Sequence, residues 1–438
     1  MLTNERIDEL VQNDLGRVHA SIYTDPEIFT AEMERIFYRT WNYIGHQSEI
    51  SQPGDYKTTY IGQVPVIMSR DEAGEIHVVV NRCVHRGTTV CQWERGNSTS
   101  FRCEYHGWMY RNDGSLLGVT RRKGYGPAEL AALPKGLDRV SRVHNYRGLI
   151  FANLDPQSVS FEDSLGVTTA YFDDWFDLSP TGELVVTGGV WNHVYEGNWK
   201  LGLEGSDERY HTDFLHQIFG VLVERDTGSS FRFLPPNLAD LTTTDAGHGH
   251  GISEVNSDAF PLPWREMNPP EYVEALTARL GESRTQQVLS RMSRWHLFPN
   301  VAFGPENIRV IRPLGPDRTE VRQYHVALPD IPGVTERINR QRLVTHQKMY
   351  GQAGCVGPDD FEMFSRIQEG YRSLSCSALN PWVWFSRGLS TARSGPSGER
   401  VSEDQSELSQ QAIYRGWVEM MKRSDVPGTR APSMSSGT

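Results

Sequence analysis

The chain has 438 residues and a formal net charge of −11, without any long run of lysine or arginine. This balance argues against binding to nucleic acid or to an anionic membrane surface. Since no stretch of about eighteen apolar residues occurs, no membrane-spanning helix is predicted. The first twenty residues lack a secretory leader and only five residues are cysteines, so we expect a protein of the reducing cytoplasm. The length predicts two or three domains.

Residues 1–40 are predicted to form a largely helical N-terminal segment. Asp25 is a typical N-cap, and Pro26 suits the first helical position. The apolar residues after them recur at helical spacing, namely Ile28, Phe29, Met33, Ile36 and Phe37. We expect this apolar stripe to pack on the larger C-terminal part of the chain.

Residues 41–156 are predicted to form an all-β domain. Short segments rich in β-branched and aromatic residues are separated here by turn signals such as Pro-Gly and Asn-Asp-Gly. The clearest predicted strands are residues 56–61, 64–67, 76–81 and 149–152. Beyond Pro156 the sequence turns polar and helical patterning returns, which places a domain boundary there.

Two mixed Cys/His pairs lie within this β-rich stretch. They are Cys83-x-His85 and Cys103-x-x-His106, with seventeen residues between the pairs. One iron of a Rieske [2Fe–2S] cluster is held by two thiolates and the other by two imidazoles, so each of two loops must supply one Cys and one His. Zinc sites also use two Cys and two His, but they usually pair like with like. The mixed pairs therefore favour a Rieske cluster.

The residues around the pairs indicate which kind of Rieske cluster this is. High-potential clusters resemble C-x-H-x-x-C followed by C-x-C-H, with a disulfide between the additional cysteines. Here Glu104 and Tyr105 stand between Cys103 and His106, so Cys91 has no partner in the second loop. The motif resembles that of the lower-potential clusters that supply electrons to oxygenases. The cysteines left over are predicted to be free thiols: Cys91, Cys355 and Cys376.

The charge around the cluster motif is opposite to that of the whole chain. Between residues 81 and 125, eight basic residues face three acidic ones, a local balance of +5. The basic residues are Arg82, Arg86, Arg95, Arg102, Arg111, Arg121, Arg122 and Lys123. A solvated face would account for them; the alternative hypothesis is a docking face for an acidic electron-donor protein, whose association such a charge would accelerate.

Residues 157–425 are predicted to form a second, α+β domain, because strands and helices are grouped and do not alternate regularly. Predicted strands are residues 182–195, 308–313 and 319–327. Predicted helices are residues 168–176, 270–293, 332–351 and 403–422. Residues 426–438 are small, polar and rich in Pro and Gly, which predicts a disordered tail.

A second metal site is predicted inside this domain. His211 and His216 follow a group of carboxylates, and a further acidic cluster occurs in residues 351–362. On a regular helix, residues five apart lie roughly 140° apart, so both imidazoles can reach one metal only if the backbone is locally distorted. Two imidazoles and one carboxylate form the facial triad of non-haem Fe(II) oxygenases, which leaves positions open for O₂.

With both motifs in this order, the chain resembles the alpha subunit of Rieske non-haem iron aromatic-ring-hydroxylating oxygenases, over roughly residues 15–425. The resemblance implies an α+β protein with an N-terminal all-β Rieske domain and a C-terminal helix-grip catalytic domain built on an antiparallel sheet. It also implies one mononuclear Fe(II) per chain and electrons from NADH through a reductase or ferredoxin. Its implied cluster ligands are Cys83, His85, Cys103 and His106, and its implied iron ligands are His211, His216 and Asp360.

The resemblance further implies a carboxylate that links the iron ligand to the Rieske histidine of a neighbouring subunit in a homotrimer, with or without a small beta subunit in a hetero-hexamer. The expected position, three residues before the first histidine, holds Glu208 in place of the usual aspartate. Asp207 stands beside it, so both are candidate catalytic residues and the identity of the bridge is open. Relatives often carry Asn where this chain has Gly205.

The implied reaction is the O₂- and NADH-dependent cis-dihydroxylation of an aromatic compound. General resemblance is closest to the branch that handles benzoate-like, anthranilate-like and terephthalate-like acids, which suggests an aromatic carboxylate. Arg309 and Arg312 are candidate partners for it, although three positions apart on one strand they face opposite sides of a sheet. Two alternatives are a monooxygenase of the same architecture, such as a salicylate-type ring hydroxylase or a demethylase, and a simple electron carrier.

Overall fold

The computed structural model describes residues 2–186, 188–227, 241–256, 264–403 and 406–423. The predicted tail at residues 426–438 lies outside these ranges. The described part is a mixture of helices and antiparallel sheets, which confirms the α+β class. None of its helices combines the length and apolar character needed to span a bilayer.

The N-terminal segment contains two helices and two short strands. Asp25 caps the second helix by accepting a hydrogen bond from the Glu27 N–H, with Pro26 at the first helical position, as predicted. The elements are α1 (Asn4–Leu10), β1 (Val11–Gln12), β2 (Arg17–His19) and α2 (Pro26–Glu32), followed by a π-helical turn at Met33–Phe37. Helical turns predominate in this segment, but the short strands β1 and β2 were not predicted. These strands form because β2 pairs with residues 382–384 near the other end of the chain, a contact that no local pattern announces.

The β-rich stretch that follows contains three small antiparallel sheets. All four strands predicted there are present, with ends shifted by one to three residues. The elements are β3 (Asn42–His46), β4 (Asp55–Ile61), β5 (Val64–Arg70), β6 (Ile76–Val80), β7 (Arg95–Asn97), β8 (Ser100–Arg102), β9 (Met109–Arg111), β10 (Leu116–Gly118), α3 (Pro127–Ala132), β11 (Arg142–Tyr146) and β12 (Leu149–Asn153). The first Cys/His pair follows β6, and the second lies between β8 and β9.

The remainder of the chain is built around a nine-stranded antiparallel sheet. The strands are β13 (Val190–Tyr195), β14 (Leu241–Asp245), β15 (Gly251–Asn256), β16 (Arg291–Leu297), β17 (Val301–Gly304), β18 (Asn307–Gly315), β19 (Arg318–His325), β21 (Arg393–Ser394) and β22 (Arg400–Glu403), in the order β13-β19-β18-β17-β16-β15-β14-β22-β21. The separate strand β20 (Trp382–Trp384) is the partner of β2.

The helices of this part are α4 (Phe161–Leu165), α5 (Thr169–Asp177), α6 (Trp199–Glu204), α7 (Thr212–Leu215), α8 (Gln217–Thr227), α9 (Trp264–Met267), α10 (Pro270–Leu280), α11 (Glu282–Leu289), α12 (Glu336–Tyr350), α13 (Gly357–Arg372) and α14 (Leu408–Lys422). The predicted helix at 270–293 is broken at Gly281, which has φ 80°, and gives way to β16 at Arg291. The predicted strand at 182–195 is shorter and starts at Val190.

The two faces of the large sheet differ in chemistry. One face carries apolar side chains, including Trp295, Phe303 and Ile308, which pack with Phe172 of α5 in one buried cluster. Because side chains alternate along a strand, the residues between them face the other side. That second face is polar at its centre, and helices α6, α12, α13 and α14 cover it. Its buried polar residues include Ser253, His296, Asn307, Arg309, Gln323 and His325, and Arg294 on the same face is partly buried.

Two buried carboxylates join the N-terminal segment to α6 and α14. Glu32 of α2 accepts hydrogen bonds from Lys200 Nζ, at 2.6 Å, and from the indole N–H of Trp417. Glu204, at the end of α6, accepts hydrogen bonds from the hydroxyls of Tyr23 and Tyr414. Burial raises the pKa of Glu204 to about 7, against the opposing effect of the two tyrosine hydrogen bonds. The N-terminal segment is thus bound to the end of α6, immediately before the loop that leads to His211.

The Glu204→Gln variant is expected to stabilise the protein above neutral pH. Between the ordinary carboxyl pKa near 4.5 and the folded value near 7, the folded state binds more protons than the unfolded state, so stability falls as the pH rises through this window. Glutamine still accepts from the tyrosines but carries no charge. We expect the apparent Tm to rise by several degrees at pH 8 and to change little at pH 4.5, as measured by calorimetry. The exposed Glu403→Gln is the control; equal shifts of Glu204→Gln at both pH values would contradict the charge argument.

Candidate metal centres

The two Cys/His loops close with the same backbone geometry. Gly87 N–H donates to the Cys83 carbonyl, and Gly107 N–H donates to the Cys103 carbonyl, both at 2.8 Å. Both glycines have positive φ, 82° and 72°, which a side chain would disfavour. Each loop therefore turns four residues after its cysteine, although the histidine stands two residues after Cys83 and three after Cys103.

The four candidate cluster ligands are brought together by these loops. Cys83 and Cys103 are buried and free, and the rings of His85 and His106 lie 4.6 Å apart in an edge-to-face arrangement. His85 Nδ1 is buried and has no hydrogen-bond partner among the described residues. An imidazole nitrogen without a protein partner, next to a second imidazole and two thiols, fits the donor set of a Rieske cluster.

The second centre contains His211, His216 and Asp360. His211 caps α7, His216 lies between α7 and α8 with φ −101° and ψ 27°, and Asp360 lies in the first turn of α13. The helix is interrupted at His216, which provides the distortion expected from the five-residue spacing. One ligand atom from each of the three side chains lies within 4.8 Å of the others. Asp360 Oδ1 is 3.0 Å from His216 Nε2 and 3.5 Å from His211 Nε2.

Glu208 orients the first histidine. Its carboxylate accepts hydrogen bonds from the backbone N–H of His211, at 3.0 Å, and from His211 Nδ1. With the proton on Nδ1, the lone pair of Nε2 is directed towards Asp360, which is the arrangement that a metal-binding histidine requires. Glu208 is thus the kind of outer carboxylate that fixes the tautomer of a metal ligand.

The charges of the three groups favour a cation between them. Burial alone would lower the pKa of His211, but hydrogen bonds to Asp360 and Glu208 raise it to about 10. Burial would raise the pKa of Asp360, but hydrogen bonds with both histidines and the nearby Arg309 hold it well below its usual range. Two imidazoles and one carboxylate converging in this way have the donor types of a mononuclear Fe(II) site.

Asp207, the other candidate bridge, points away from the triad. Its side chain is fully buried and lies 3.1 Å from Nδ1 of His296 on β16. Glu208 contacts His211 and retains 13% side-chain exposure. The structure thus brings Glu208, and not Asp207, into contact with the candidate iron ligand.

Two arginines lie beside the triad on the polar face of the large sheet, the buried Arg309 and the partly buried Arg294. Nη2 of Arg309 is 3.6 Å from Asp360 Oδ2, and its Nη1 has no hydrogen-bond partner among the described residues. Arg294 donates a hydrogen bond to the Tyr350 hydroxyl, and the Tyr350 ring lies 5.9 Å from the Arg309 guanidinium carbon. Arg312 lies on the opposite face of β18 and pairs with Glu320. Arg294 was not among the predicted site residues, because the predicted helix 270–293 covered the first three residues of its strand and no strand was predicted there.

Gly205 leaves room for an aromatic ring next to the site. A Cβ at this position would lie 2.7 Å from Cζ of Phe364, which stands one helical turn after Asp360 on α13. A larger residue here would therefore require Phe364 to move.

Comparisons with known proteins cover both centres. Residues 40–134 match the Rieske [2Fe-2S] domain family, and residues 183–423 match the ring hydroxylating alpha subunit (catalytic domain) family. The 2-halobenzoate 1,2-dioxygenase large subunit of Burkholderia cepacia is 31% identical over 95% of this chain and 92% of its own. The anthranilate 1,2-dioxygenase large subunit of Acinetobacter baylyi is 31% identical over 89% of this chain and 84% of its own.

The fold of the chain is also similar to that of a solved dioxygenase structure. The crystal structure of naphthalene 1,2-dioxygenase from a Rhodococcus species superimposes with a TM-score of 0.82 at 30% identity, over 96% of this chain and 99% of that one. The segment matched by the Rieske family contains the four candidate cluster ligands, and the segment matched by the catalytic-domain family contains the three candidate iron ligands. The similarity therefore extends from the cluster loops to the end of α14.

Proposed function

Because the chain belongs to the family of ring-hydroxylating dioxygenase alpha subunits, we propose that it is the terminal oxygenase of a multicomponent system that cis-dihydroxylates an aromatic carboxylate. Family membership makes the chain an oxidoreductase with a Rieske cluster and a mononuclear iron. It excludes the alternative of a simple electron carrier.

The buried Arg309 carries the substrate proposal. The names of the relatives alone do not decide it, since they include biphenyl and benzene dioxygenases as well as halobenzoate, toluate and anthranilate dioxygenases. Arg309 keeps a buried N–H group without a partner among the described residues, and such a group is costly unless something accepts from it. The planar guanidinium presents paired donors that match a carboxylate. A hydrocarbon substrate would offer nothing to this group.

The charges in the interior of the site also favour an anionic substrate. Three arginines lie along this part of the polar sheet face, the buried Arg209 and Arg309 and the partly buried Arg294, and three buried carboxylates lie near them, namely Asp207, Glu306 and Asp360. A metal cation bound by the triad would add further positive charge. Buried charges are stable only when they are paired, so an anionic substrate suits this interior better than a neutral one.

We assign the following roles to the chain's own groups. His211, His216 and Asp360 would hold Fe(II), and Cys83, His85, Cys103 and His106 would hold the cluster. Iron held by this triad would supply O₂ activation, and the cluster would supply single electrons. Glu208 holds the proton of His211 Nδ1, and Arg309 holds the carboxylate end of the substrate so that the ring carbons beside it lie next to the triad.

The exposed surface supports a head-to-tail homotrimer in which Glu208 meets a cluster histidine of the neighbouring copy. Three apolar residues on α7 and α8, following His211 at helical spacing, are exposed: Phe214 (78%), Ile218 (50%) and Val221 (58%). Next to the cluster ligand His106, Tyr105 is 57% exposed, and Trp93 is 74% exposed on the same domain. Exposed apolar groups near both centres are typical of surfaces that another protein covers. A heterologous contact forms a closed ring when the rotation between copies allows it, and the ring proposed here contains three copies.

The electron donor is proposed to be an acidic ferredoxin or reductase. All eight basic residues predicted around the cluster motif are exposed. Arg82 pairs with Asp138 and Arg95 with Glu49, and the other six basic residues form no ion pair within the part of the chain that the structure describes. Their concentration around the cluster loops favours a negatively charged partner at this face.

The proposed function predicts a preference for aromatic acids over their neutral isosteres. The iron-loaded protein, supplied with a reductase and NADH, is expected to consume O₂ with benzoate-type acids and to be at least tenfold less active with the matching amides. With ¹⁸O₂ the product should carry two labelled atoms on adjacent carbons, as measured by mass spectrometry. One labelled atom would identify the monooxygenase alternative, and equal activity with the amides would contradict the carboxylate assignment.

A further inference from the structure

The buried pair formed by Asp207 and His296 has no assigned role in the reaction. Both side chains have zero exposure. Asp207 Oδ2 is 3.1 Å from His296 Nδ1, and His296 Nε2 is 2.9 Å from the carbonyl oxygen of Gly249. The pair spans the gap between β16 and the loop that joins α6 to α7, which consists of residues 205–211.

The hydrogen bonds of this pair require a proton between Asp207 Oδ2 and His296 Nδ1, in addition to the proton on His296 Nε2. A carbonyl oxygen only accepts, so His296 Nε2 must donate to Gly249. A neutral imidazole would then present an acceptor at Nδ1 to the Asp207 carboxylate, and two acceptors repel. Either His296 is doubly protonated and donates a charge-assisted hydrogen bond to the Asp207 carboxylate, or Asp207 carries the proton and donates it to a neutral Nδ1; in both cases a hydrogen bond joins the pair.

His296 is held rigidly on the sheet. It sits against Gly251 of the neighbouring strand, where a Cβ would lie only 2.5 Å from His296 Cε1. With its ring packed in this way and Nε2 tied to the backbone, His296 offers a fixed point to the loop. Arg209 provides a second attachment, because its Nε donates to Ser253 Oγ at 2.8 Å and its Nη2 to the Met292 carbonyl at 2.9 Å.

The residues of the loop therefore point alternately inwards and outwards. Asp207 and Arg209 reach the sheet, whereas Glu208 between them turns to His211. Adjacent Cα atoms are held about 3.8 Å apart by a planar peptide, so the direction of Glu208 depends directly on where Asp207 and Arg209 are attached. Zero exposure of Asp207 also excludes it as a group that could meet a neighbouring subunit.

We propose that the Asp207–His296 pair is a positioning element, which fastens the loop to β16 and thereby keeps the Glu208 carboxylate on Nδ1 of His211. Asp207 acts through Glu208 and touches neither the substrate nor the iron ligands. The consequence for electron transfer rests on the proposed bridging role of Glu208. The consequence for metal binding rests only on the contact between Glu208 and His211.

The test uses Asp207→Ala, Asp207→Asn and Glu208→Ala in the full chain, with two readouts. The first is the Fe(II) affinity of the mononuclear site, measured by titration. The second is the rate at which the reduced cluster is reoxidised after mixing with O₂ and an aromatic acid, followed by its visible absorbance. Asp177→Asn, which alters a carboxylate of α5 paired with Arg279 and Arg284, is the matched control and is expected to change neither readout.

Asp207→Ala is expected to weaken Fe(II) binding about tenfold, the usual cost of losing a group that orients a metal ligand, and to slow cluster reoxidation at least tenfold. Asp207→Asn should stay within about threefold of the unmodified protein in both, because the amide can donate to Nδ1 of a neutral His296 and so keep the attachment. The double variant Asp207→Ala/Glu208→Ala should be no worse than Glu208→Ala, since both act through one contact.

Unchanged Fe(II) affinity in a folded Asp207→Ala variant would overturn the proposal. An Asp207→Asn variant that is as impaired as the alanine variant would also overturn it. So would losses in the double variant that equal the sum of the losses in the two single variants. Retained melting temperature and cluster absorbance establish folding. If the unmodified protein failed to reoxidise its cluster with O₂ and any aromatic acid, the proposed function would fail, and the Fe(II) titration would still decide the positioning role.

Discussion

Asp360→Ala is expected to remove the mononuclear iron and to lower turnover by at least a thousandfold. The carboxylate lies 3.0 Å from His216 Nε2 and is the acidic member of the triad, so its loss leaves two neutral imidazoles, a weak site for Fe(II). The iron content should fall from about three to about two per chain, since the cluster keeps its two irons. Metal analysis and NADH-dependent oxygen consumption measure the two effects.

Glu362→Gln is the matched control for this variant. Glu362 lies on the same helix but is exposed and pairs with Arg366. It should retain the full iron content and activity. Unchanged cluster absorbance in Asp360→Ala establishes that the cluster domain remains folded. An Asp360→Ala protein that kept about three irons and its turnover would show that the iron lies elsewhere.

Arg309→Met is expected to raise KM for the aromatic acid by about a hundredfold. Truncating one partner of a buried, hydrogen-bonded charge pair costs roughly 2–5 kcal/mol, and about 2.8 kcal/mol corresponds to a factor of one hundred. KM for a neutral analogue that is turned over at all should change by less than about threefold, because that analogue gains nothing from the guanidinium. Steady-state kinetics with the acid and with its amide measure the contrast.

Arg312→Met separates this effect from a general loss of positive charge. Arg312 is three residues further along β18, on the other side of the strand, and pairs with Glu320. It should leave KM for the acid within about twofold. If both arginine variants raised KM equally, or if Arg309→Met impaired acid and amide alike, Arg309 would not be the carboxylate partner.

The candidate cluster ligands and the two candidate histidine ligands of the iron could be proposed from the sequence because metal-binding chemistry depends on a few residue types at short spacing, whereas Asp360, far along the chain, was proposed from the family resemblance. Cys83 and His85 lie in one loop, and Cys103 and His106 in another, so the sequence contains each half of the cluster motif intact. The interruption of the helix at His216 also followed from spacing, since a regular helix directs residues five apart in different directions.

Other features of the site could not be predicted, because they depend on partners far away in the chain. The predicted helix 270–293 covered the first three residues of the strand that carries Arg294, and this strand forms by pairing with β15 and β17. Strands β1 and β2 were missed for the same reason. Burial separates Arg309 from Arg312, and only the position of α13 relative to the sheet brings Asp360 within 3.6 Å of Arg309.

By itself, the sequence determined the family and the two metal centres, and it named two candidates each for the bridging carboxylate and for the arginine that binds the substrate. The tertiary structure alone decided between neighbours: Glu208 contacts His211, whereas Asp207 is bound to His296. It also showed that Arg294 and Arg309 lie beside the same triad. The physical reason is that the direction of a loop side chain depends on which strand the loop packs against, and adjacent residues carry no local signal of that choice.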